Sequence, residues 1–439
     1  MKIKFFNHAC FSIENDQSIL LNDPYLCGTA FNDSWDLIVN DIKFNFDTKK
    51  KIFIYYSHEH PDHFSVPFLK SINLKIRHEI TILFQKTKDK RVKSFLEKNG
   101  FCVKELSNKI KYEIHKNFFI TIGQVPFYDS WALFEIDNQK ILNVNDCILE
   151  APERIYDMKK TLGQVDILFT QFSYANWVEG GLVDKKYRKI LAREKLNRIK
   201  MQSNVLNPKF IVPFASMVRF CHEENSYMND SINSPEITVK FIDEFTNSTP
   251  YLMVPYETWN GYKKKDNEDA INYWNKAYEI ALNRDLIKPK KIFSISELKE
   301  ECDRMRKRVF SKNNKLIISA MSFLNILPKL HIRVKDIDKV TEFSWSSGLV
   351  EDENIDSEQC LDMTSESAYF LFKYDFGIDT LNVNARFSGS LTHKKKLVKS
   401  FAPVSLNNTG RYLTINGIFS LILEPNFMKQ GLRSVGLIR

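Results

Sequence analysis

The stretch Ile52–Ser65, IFIYYSHEHPDHFS, constrains this chain more than any other. An apolar run of strand-forming residues stops at Ser57, and His58, His60, Asp62 and His63 then arrive within six positions. The whole chain holds only 9 histidines, so composition does not supply this concentration. On a straight strand, successive side chains point to opposite faces, whereas an irregular loop after the strand lets neighbours converge. Neutral imidazole and carboxylate suit zinc, iron and manganese, and the lack of a nearby Cys disfavours a soft structural site. His58 and His60 are spaced to grip one ion, with Asp62 and His63 turned toward a second. Pro61 restricts the loop and removes an amide donor. A catalytic ion keeps one position open for water or substrate, which makes Asp62 a candidate catalytic carboxylate as well as a ligand. The alternative is a surface cluster of polar loop residues.

The chain has 439 residues, enough for two or three domains or for one large layered domain with an appendage. At 43% hydrophobic and 27% charged it has the composition of a soluble globular protein. No apolar run approaches the length of a membrane span, and the N-terminus MKIKFFNHACFSIEN does not read as a secretory signal. A cytoplasmic protein is expected. The seven cysteines are scattered, without C-x-x-C or C-x-H, which argues against a disulfide framework, a zinc ribbon or a cysteine-held cluster. They are expected to be buried reduced thiols. The net charge of +9 mildly favours an anionic substrate. The Lys-rich stretches at 48–51, 263–265 and 394–397 lack the aromatic interleaving of a nucleic-acid surface and read as solvated loops or turns.

Through residue 150, short apolar runs alternate with turn signals, and KIKFF, CFSIE, SILLND, KIFIYYS, ITILF, FFITIGQV, ALFEID and KILNVND read as strands. Asn138 sits at the tip of an expected hairpin. SVPFLKSIN and DKRVKSFLEKNG read as helices, as does the charged stretch after strand DILFT, before strand KFIVPFAS. Two sheets sandwiched between helix layers follow from this order. Residues 266–287 and 296–310 read as helices, with Ser294 and Glu297 fitting a capping box. Beyond 313, LIISAMSFLN, LHIRVKD, AYFLFKYDF, TLNVNARF and YLTINGIFSLIL read as strands of a smaller α+β unit. The expected domains are 1–290 and 291–439.

The loop at 58–63 resembles the signature of the metallo-β-lactamase-fold superfamily. NHACFSIE, LLNDPYLCGTAFNDSW, YYSHEHPDHFSVPFLK, DSWALFEIDNQKILNVNDC and FIVPFASMVRFCHEENSY occur in this order. Together they resemble the metallo-β-lactamase-like part of the CMP-N-acetylneuraminate hydroxylase family, over roughly residues 1–260. The resemblance implies an αββα sandwich followed by the smaller α+β unit, which itself looks similar to sterol-carrier modules. It implies metal ligands at His58, His60, Asp62 and His63, and at Asp146, which otherwise is a turn-forming Asp. Two departures stand out. VPFYDSW has no His where two-metal hydrolases supply one, leaving Asp129 as a ligand or as a loop-ordering group. Pro213 and Phe214 stand where a later His is usual, and His222 a few residues on is a ligand, an acid/base, a substrate contact or an ordinary surface residue. His8 in NHACF is either structural or in contact with ligands or substrate. Asp23 either orients a ligand His or makes a turn. Trp177 is a substrate-stacking or a core residue, and Gly180 and Gly181 allow a tight path near a ligand.

Losing two histidines fits a carboxylate-rich or single-metal centre, with one or two divalent ions, iron or zinc. The resemblance implies an oxygenase acting on an anionic or N-acylated small molecule such as a sugar nucleotide. The family's Rieske cluster needs Cys-x-His and Cys-x-x-His, and neither is present. Electrons would then come from a separate donor protein or from the substrate. The alternative activity is hydrolysis of a phosphoester or amide by metal-activated water. A third reading is a fold kept only for binding, against which the intact loop argues.

Overall fold

A computed structural model describes residues 1–125, 129–147, 149, 152–177, 185–352 and 354–422. Two seven-stranded sheets face each other. The first runs Thr258–Trp259, Lys2–Asn7, Cys10–Glu14, Ser18–Asn22, Lys51–Tyr56, Thr81–Gln85, Cys102–Leu106. The second runs Thr249–Pro250, Phe210–Phe214, Ile167–Gln171, Gln139–Asn143, Asp129–Ile136, Phe118–Val125, Lys111–His115. Each is mixed: Ser18–Asn22 pairs parallel with Lys51–Tyr56, and Gln139–Asn143 pairs parallel with Ile167–Gln171, while the hairpins are antiparallel. Asp137 and Asn138 both have positive φ, 49° and 60°, as a two-residue hairpin turn requires.

The strand before the histidine loop shows why its sequence is continuously apolar. Phe53 and Tyr55 point between the sheets, and Ile52, Ile54 and Tyr56 point to the outer face. That outer face is covered by helices Val66–Ser71 and Arg91–Lys98, through Phe68, Leu69, Val92 and Leu96. Between the sheets, Phe11 stacks on Phe169 at 4.2 Å and meets Phe134 edge-on at 6.3 Å. Helices Pro152–Leu162, Lys185–Leu206, Pro235–Phe245 and Glu268–Leu282 cover the second sheet, and the sandwich is therefore helix–sheet–sheet–helix as expected. Gly123 lies opposite Trp131 on adjacent strands, and a Cβ there would overlap the indole. Gly123→Ala is expected to destabilise the fold by about 3 kcal/mol, read from urea unfolding.

The C-terminal unit departs from the expectation. A four-stranded sheet, Gly348–Glu351, Lys339–Ser344, Leu330–Val334, Leu361–Met363, is present, and LHIRVKD is one of its strands. The four other expected strands are helical: Lys315–Phe323, Ser365–Lys373, Gly377–Asn384 and Ile415–Ile422. The signal that was overlooked is capping. The Asn314 side chain accepts from the amides of Leu316 and Ile317, and Thr364 accepts from that of Ser367. Burial of Ala368, Leu371 and Phe372 then follows the helical spacing. The capping box at Ser294 and Glu297 is present and starts helix Ile295–Phe310.

One apolar cluster joins Tyr25, Phe31, Trp35 and Phe220 to Leu298, Met305, Leu330 and Phe343, so the two sides of residue 290 share a core. Five of the seven cysteines are buried; Cys27 and Cys102 are exposed, against the expectation.

Candidate metal centre

The site forms where the strand Lys51–Tyr56 ends. Phe64 N and His63 N both donate to His60 O, closing a turn, and Ser65 then caps the next helix by accepting from Phe68 N. This tight turn brings His58, His60, Asp62 and His63 to one side. His8 reaches the same place from the bulge between the first two strands; its φ is 41°, and its carbonyl accepts from Ala215 N.

Asp23, fully buried at the end of Ser18–Asn22, is the hub. Its carboxylate accepts from Ser57 N at 2.7 Å, Ser57 Oγ at 2.8 Å and His63 Nδ1 at 3.0 Å. These bonds set two tautomers. Ser57 Oγ spends its proton on Asp23, so at 2.9 Å it accepts from His58 Nδ1. His63 Nδ1 likewise donates to Asp23. Both imidazoles therefore present Nε2 to the interior, as metal-binding histidines do when the other nitrogen donates to an oxygen.

Asp146 Oδ1 lies 3.8 Å from His58 Nε2 and 3.7 Å from His63 Nε2, with no hydrogen-bond partner among the described residues. These three atoms form one group able to hold an ion, and His8, Asp62 and His63 form another. In the second group, Asp62 Oδ2 is 3.3 Å from His8 Nε2 and 3.5 Å from His63 Nε2. Asp62 Oδ1 and His8 Nδ1 are buried without hydrogen-bond partners among the described residues. Orphaned carboxylate oxygens between inward-facing imidazoles fit a divalent cation. His63 Nε2 belongs to both groups and can serve one ion at a time.

His60 and Asp129 stand beside these groups rather than in them. His60 Nδ1 is 2.8 Å from His58 Nε2, and its ring meets Phe31 edge-on. Asp129 Oδ1 is 3.4 Å from His58 Nδ1, the nitrogen turned away from the cluster. Electrostatics follow from burial. Burial alone would lower His63, but the Asp62, Asp146 and Asp23 carboxylates raise it to about 10. Burial, opposed by Asp146, holds His58 well below the usual imidazole range. Burial and then the neighbouring Asp146 charge push Asp129 up to about 8. The site draws positive charge to His63, and a metal ion would displace that proton.

The structure does not bring His222 or Trp177 to the cluster. His222 Nδ1 accepts from Glu224 N, its backbone N–H donates to Asn225, and burial and then Arg386 lower it to about 4. Trp177 stacks on Phe387 at 5.1 Å, with the Lys394 ammonium 5.0 Å from its ring, so it is part of the core. Gly180 and Gly181 lie outside the described residues.

The sequence reading missed the floor of the site. Ser130 Oγ and Gln85 Nε2 donate to Ser57 O, Asn145 Nδ2 donates to Ser130 O, and Asn143 Nδ2 donates to Asn22 Oδ1. This polar layer ties the two sheets together beneath the loop. The signal was two strands ending alike, in Asn22-Asp23 and in Asn143-Val-Asn-Asp146. Asp379, from helix Gly377–Asn384, also lies within the field of His60, and its carboxylate accepts from Asn408 Nδ2 at 2.9 Å.

About half of the chain is similar to the cytidine monophosphate-N-acetylneuraminic acid hydroxylases. The hydroxylase of Danio rerio is 27% identical over 252 residues, 53% of this chain and 41% of that protein. The chain thus spans less than half the length of such relatives. Among solved structures, the sandwich is similar to metallo-β-lactamase-fold proteins. CmlA, a diiron beta-hydroxylase from Streptomyces venezuelae, is 16% identical with a TM-score of 0.40, covering 59% of this chain and 53% of that one. A possible metal-dependent hydrolase from Veillonella parvula is 14% identical with a TM-score of 0.43, covering 59% of this chain and 98% of that one. No family model matches the chain.

Proposed function

We propose that this chain is a metal-dependent hydroxylase of the metallo-β-lactamase fold, with His58, His63 and Asp146 as the principal ligands. His8 and Asp62 are the donors for a second ion or for a proton. The observation that carries this reading is the pair of inward-facing Nε2 atoms on either side of an unpartnered Asp146 oxygen. When bound, a redox-active iron supplies oxygen activation, and the mix of imidazole and carboxylate donors with no thiolate suits it.

The protein's own residues do the rest. Asp23 fixes both tautomers, directly at His63 and through Ser57 at His58. Asp62 Oδ1 has no hydrogen-bond partner among the described residues and can accept a hydrogen bond from a bound group; burial alone would raise its carboxyl, but His63 and His8 hold it well below the usual carboxylate range. Phe31 and helix Gly377–Asn384 close over the His60 side, with Asn384 Nδ2 donating to Phe31 O, and so limit water. Residues 1–439 contain no Cys-x-His with Cys-x-x-His pair, and electrons would come from a separate donor protein or from the substrate. The substrate class in this reading is an anionic or N-acylated small molecule such as a sugar nucleotide. The second reading is hydrolysis of a phosphoester or amide, for which a bound ion would supply the acidity of a water and Asp62 Oδ1 would accept that water's hydrogen bond.

The test is elemental analysis of protein purified without added metal, followed by turnover of CMP-N-acetylneuraminic acid. Iron at one or two equivalents, with oxygen uptake that requires both substrate and a reductant, supports hydroxylation. Zinc, with turnover that proceeds under anaerobic conditions, supports hydrolysis instead. In either case Asp23→Asn is expected to weaken metal binding by about 10- to 100-fold, since it loosens two ligands at once. Competition with a chelator reads this directly.

A further inference from the structure

Several of the most exposed apolar side chains belong to the C-terminal unit. Helix Lys315–Phe323 begins with Leu316, 80% exposed, and ends with Phe323, 91% exposed. Seven residues apart, they lie on the same side of the helix. Leu324 and Ile326 continue the face at 65% and 51% exposure. Ile415, also 65% exposed, joins them, because Leu413 N donates to Asn313 Oδ1 and Leu413 O accepts from Asn314 N. Single exposed apolar residues are ordinary, but a contiguous group of this size marks an interaction surface.

The charge around this face identifies what it meets. No Asp or Glu occurs from Ser311 to Lys335, nor from Thr380 to Leu423. Residues 380–422 hold six Lys and Arg and no acid, in a chain whose net charge is +9; of the six, Arg386 is buried and paired with Glu224 and Glu366. Lys312 and Lys315 flank Leu316. Helix Leu391–Ser400 carries four lysines, and its last residue donates from Ser400 Oγ to Pro328 O, beside Ile326.

We propose that this face seats the protein on an anionic lipid bilayer, with Phe323, Leu316 and Leu324 entering the headgroup boundary and the lysines meeting the lipid phosphates. Protruding apolar tips inside a basic rim are the chemistry of interfacial binding. A second copy fits poorly, because an isologous contact would set the lysines against themselves. No helix among the described residues is long and apolar enough to cross a membrane, and attachment here is to one surface only. The proposal does not depend on the metal reading.

The full chain is sedimented with vesicles of phosphatidylcholine alone and with vesicles containing about 30 mol% phosphatidylserine. Binding to the anionic vesicles only, weakened at about 0.5 M salt, is expected. Leu316→Asp with Phe323→Asp is expected to reduce partitioning by about tenfold or more. Lys312→Glu with Lys315→Glu is expected to weaken it as well. All four positions lie outside the metal centre, and unchanged far-ultraviolet circular dichroism and urea unfolding certify the fold of each variant. Failure to bind anionic vesicles overturns the proposal, as does binding that the apolar variant leaves intact. It is equally overturned if that variant abolishes a concentration-dependent dimer, or if the basic face retains RNA but not vesicles.

Discussion

Asp146→Asn is expected to lower the affinity for metal by more than about 100-fold and to abolish turnover, with the fold intact. The substitution keeps the shape of the side chain and removes the charge that opposes two imidazoles at 3.8 and 3.7 Å. Asp146 is not a core residue, so far-ultraviolet circular dichroism should not change. A compensating effect sharpens the test. Burial and the Asp146 charge keep the Asp129 carboxyl protonated toward neutral pH, at about 8. Without the Asp146 charge, Asp129 ionises at lower pH and becomes the nearest replacement anion. The single variant should therefore retain weak metal binding that rises with pH, and Asp129→Asn with Asp146→Asn should retain only what the group of His8, Asp62 and His63 can hold. Full metal stoichiometry in the double variant would refute the assignment of this cluster.

What the sequence disclosed about the site was local. His58, His60, Asp62 and His63 announce themselves because four potential ligands share one loop, and the order of strands around them yields the sandwich. Asp23 was legible only as one of two alternatives, since an Asp after a strand also makes turns; three of its hydrogen bonds come from residues 34 and 40 positions away. The floor built from Asn22, Asn143, Asn145 and Ser130 joins strands from different sheets, and periodicity carries no information about such pairs. His222 and Trp177 are likewise placed by contacts that periodicity does not carry: Trp177 is drawn onto Phe387 and Asn382, and His222 is tied to Glu224 and Asn225 in its own turn. The C-terminal helices were misread because short apolar runs rich in Ile, Leu and Phe suit strand and helix alike, and only the caps at Asn314 and Thr364 separate the two.

Arg386→Ala is expected to destabilise the protein by about 3–5 kcal/mol, the largest stability effect of any single change considered. Arg386 is 1% exposed and forks between two carboxylates that come from different parts of the chain. Its Nε donates to Glu224 Oε2 at 2.7 Å, its Nη2 to Glu366 Oε2 at 2.5 Å, and its Nη1 to Asn32 O at 2.9 Å. The first and last of these partners belong to the sandwich, so this one guanidinium bolts the C-terminal unit onto the loop that carries Phe31 over His60. Removing it leaves Glu224, 8% exposed at its side chain, without its counter-charge, and that cost exceeds the value of the lost contacts. Lysine cannot rescue the fold, because a single ammonium does not reproduce the planar fork. Adding Glu224→Gln and Glu366→Gln to Arg386→Met should recover part of the loss by removing the stranded charges. Urea unfolding measures the stability, and limited proteolysis near residues 25–35 reports whether the loop has come away from the metal centre. An Arg386→Ala protein within 1 kcal/mol of the parent, with the loop still protected, would mean that the shared apolar cluster alone holds the two units together.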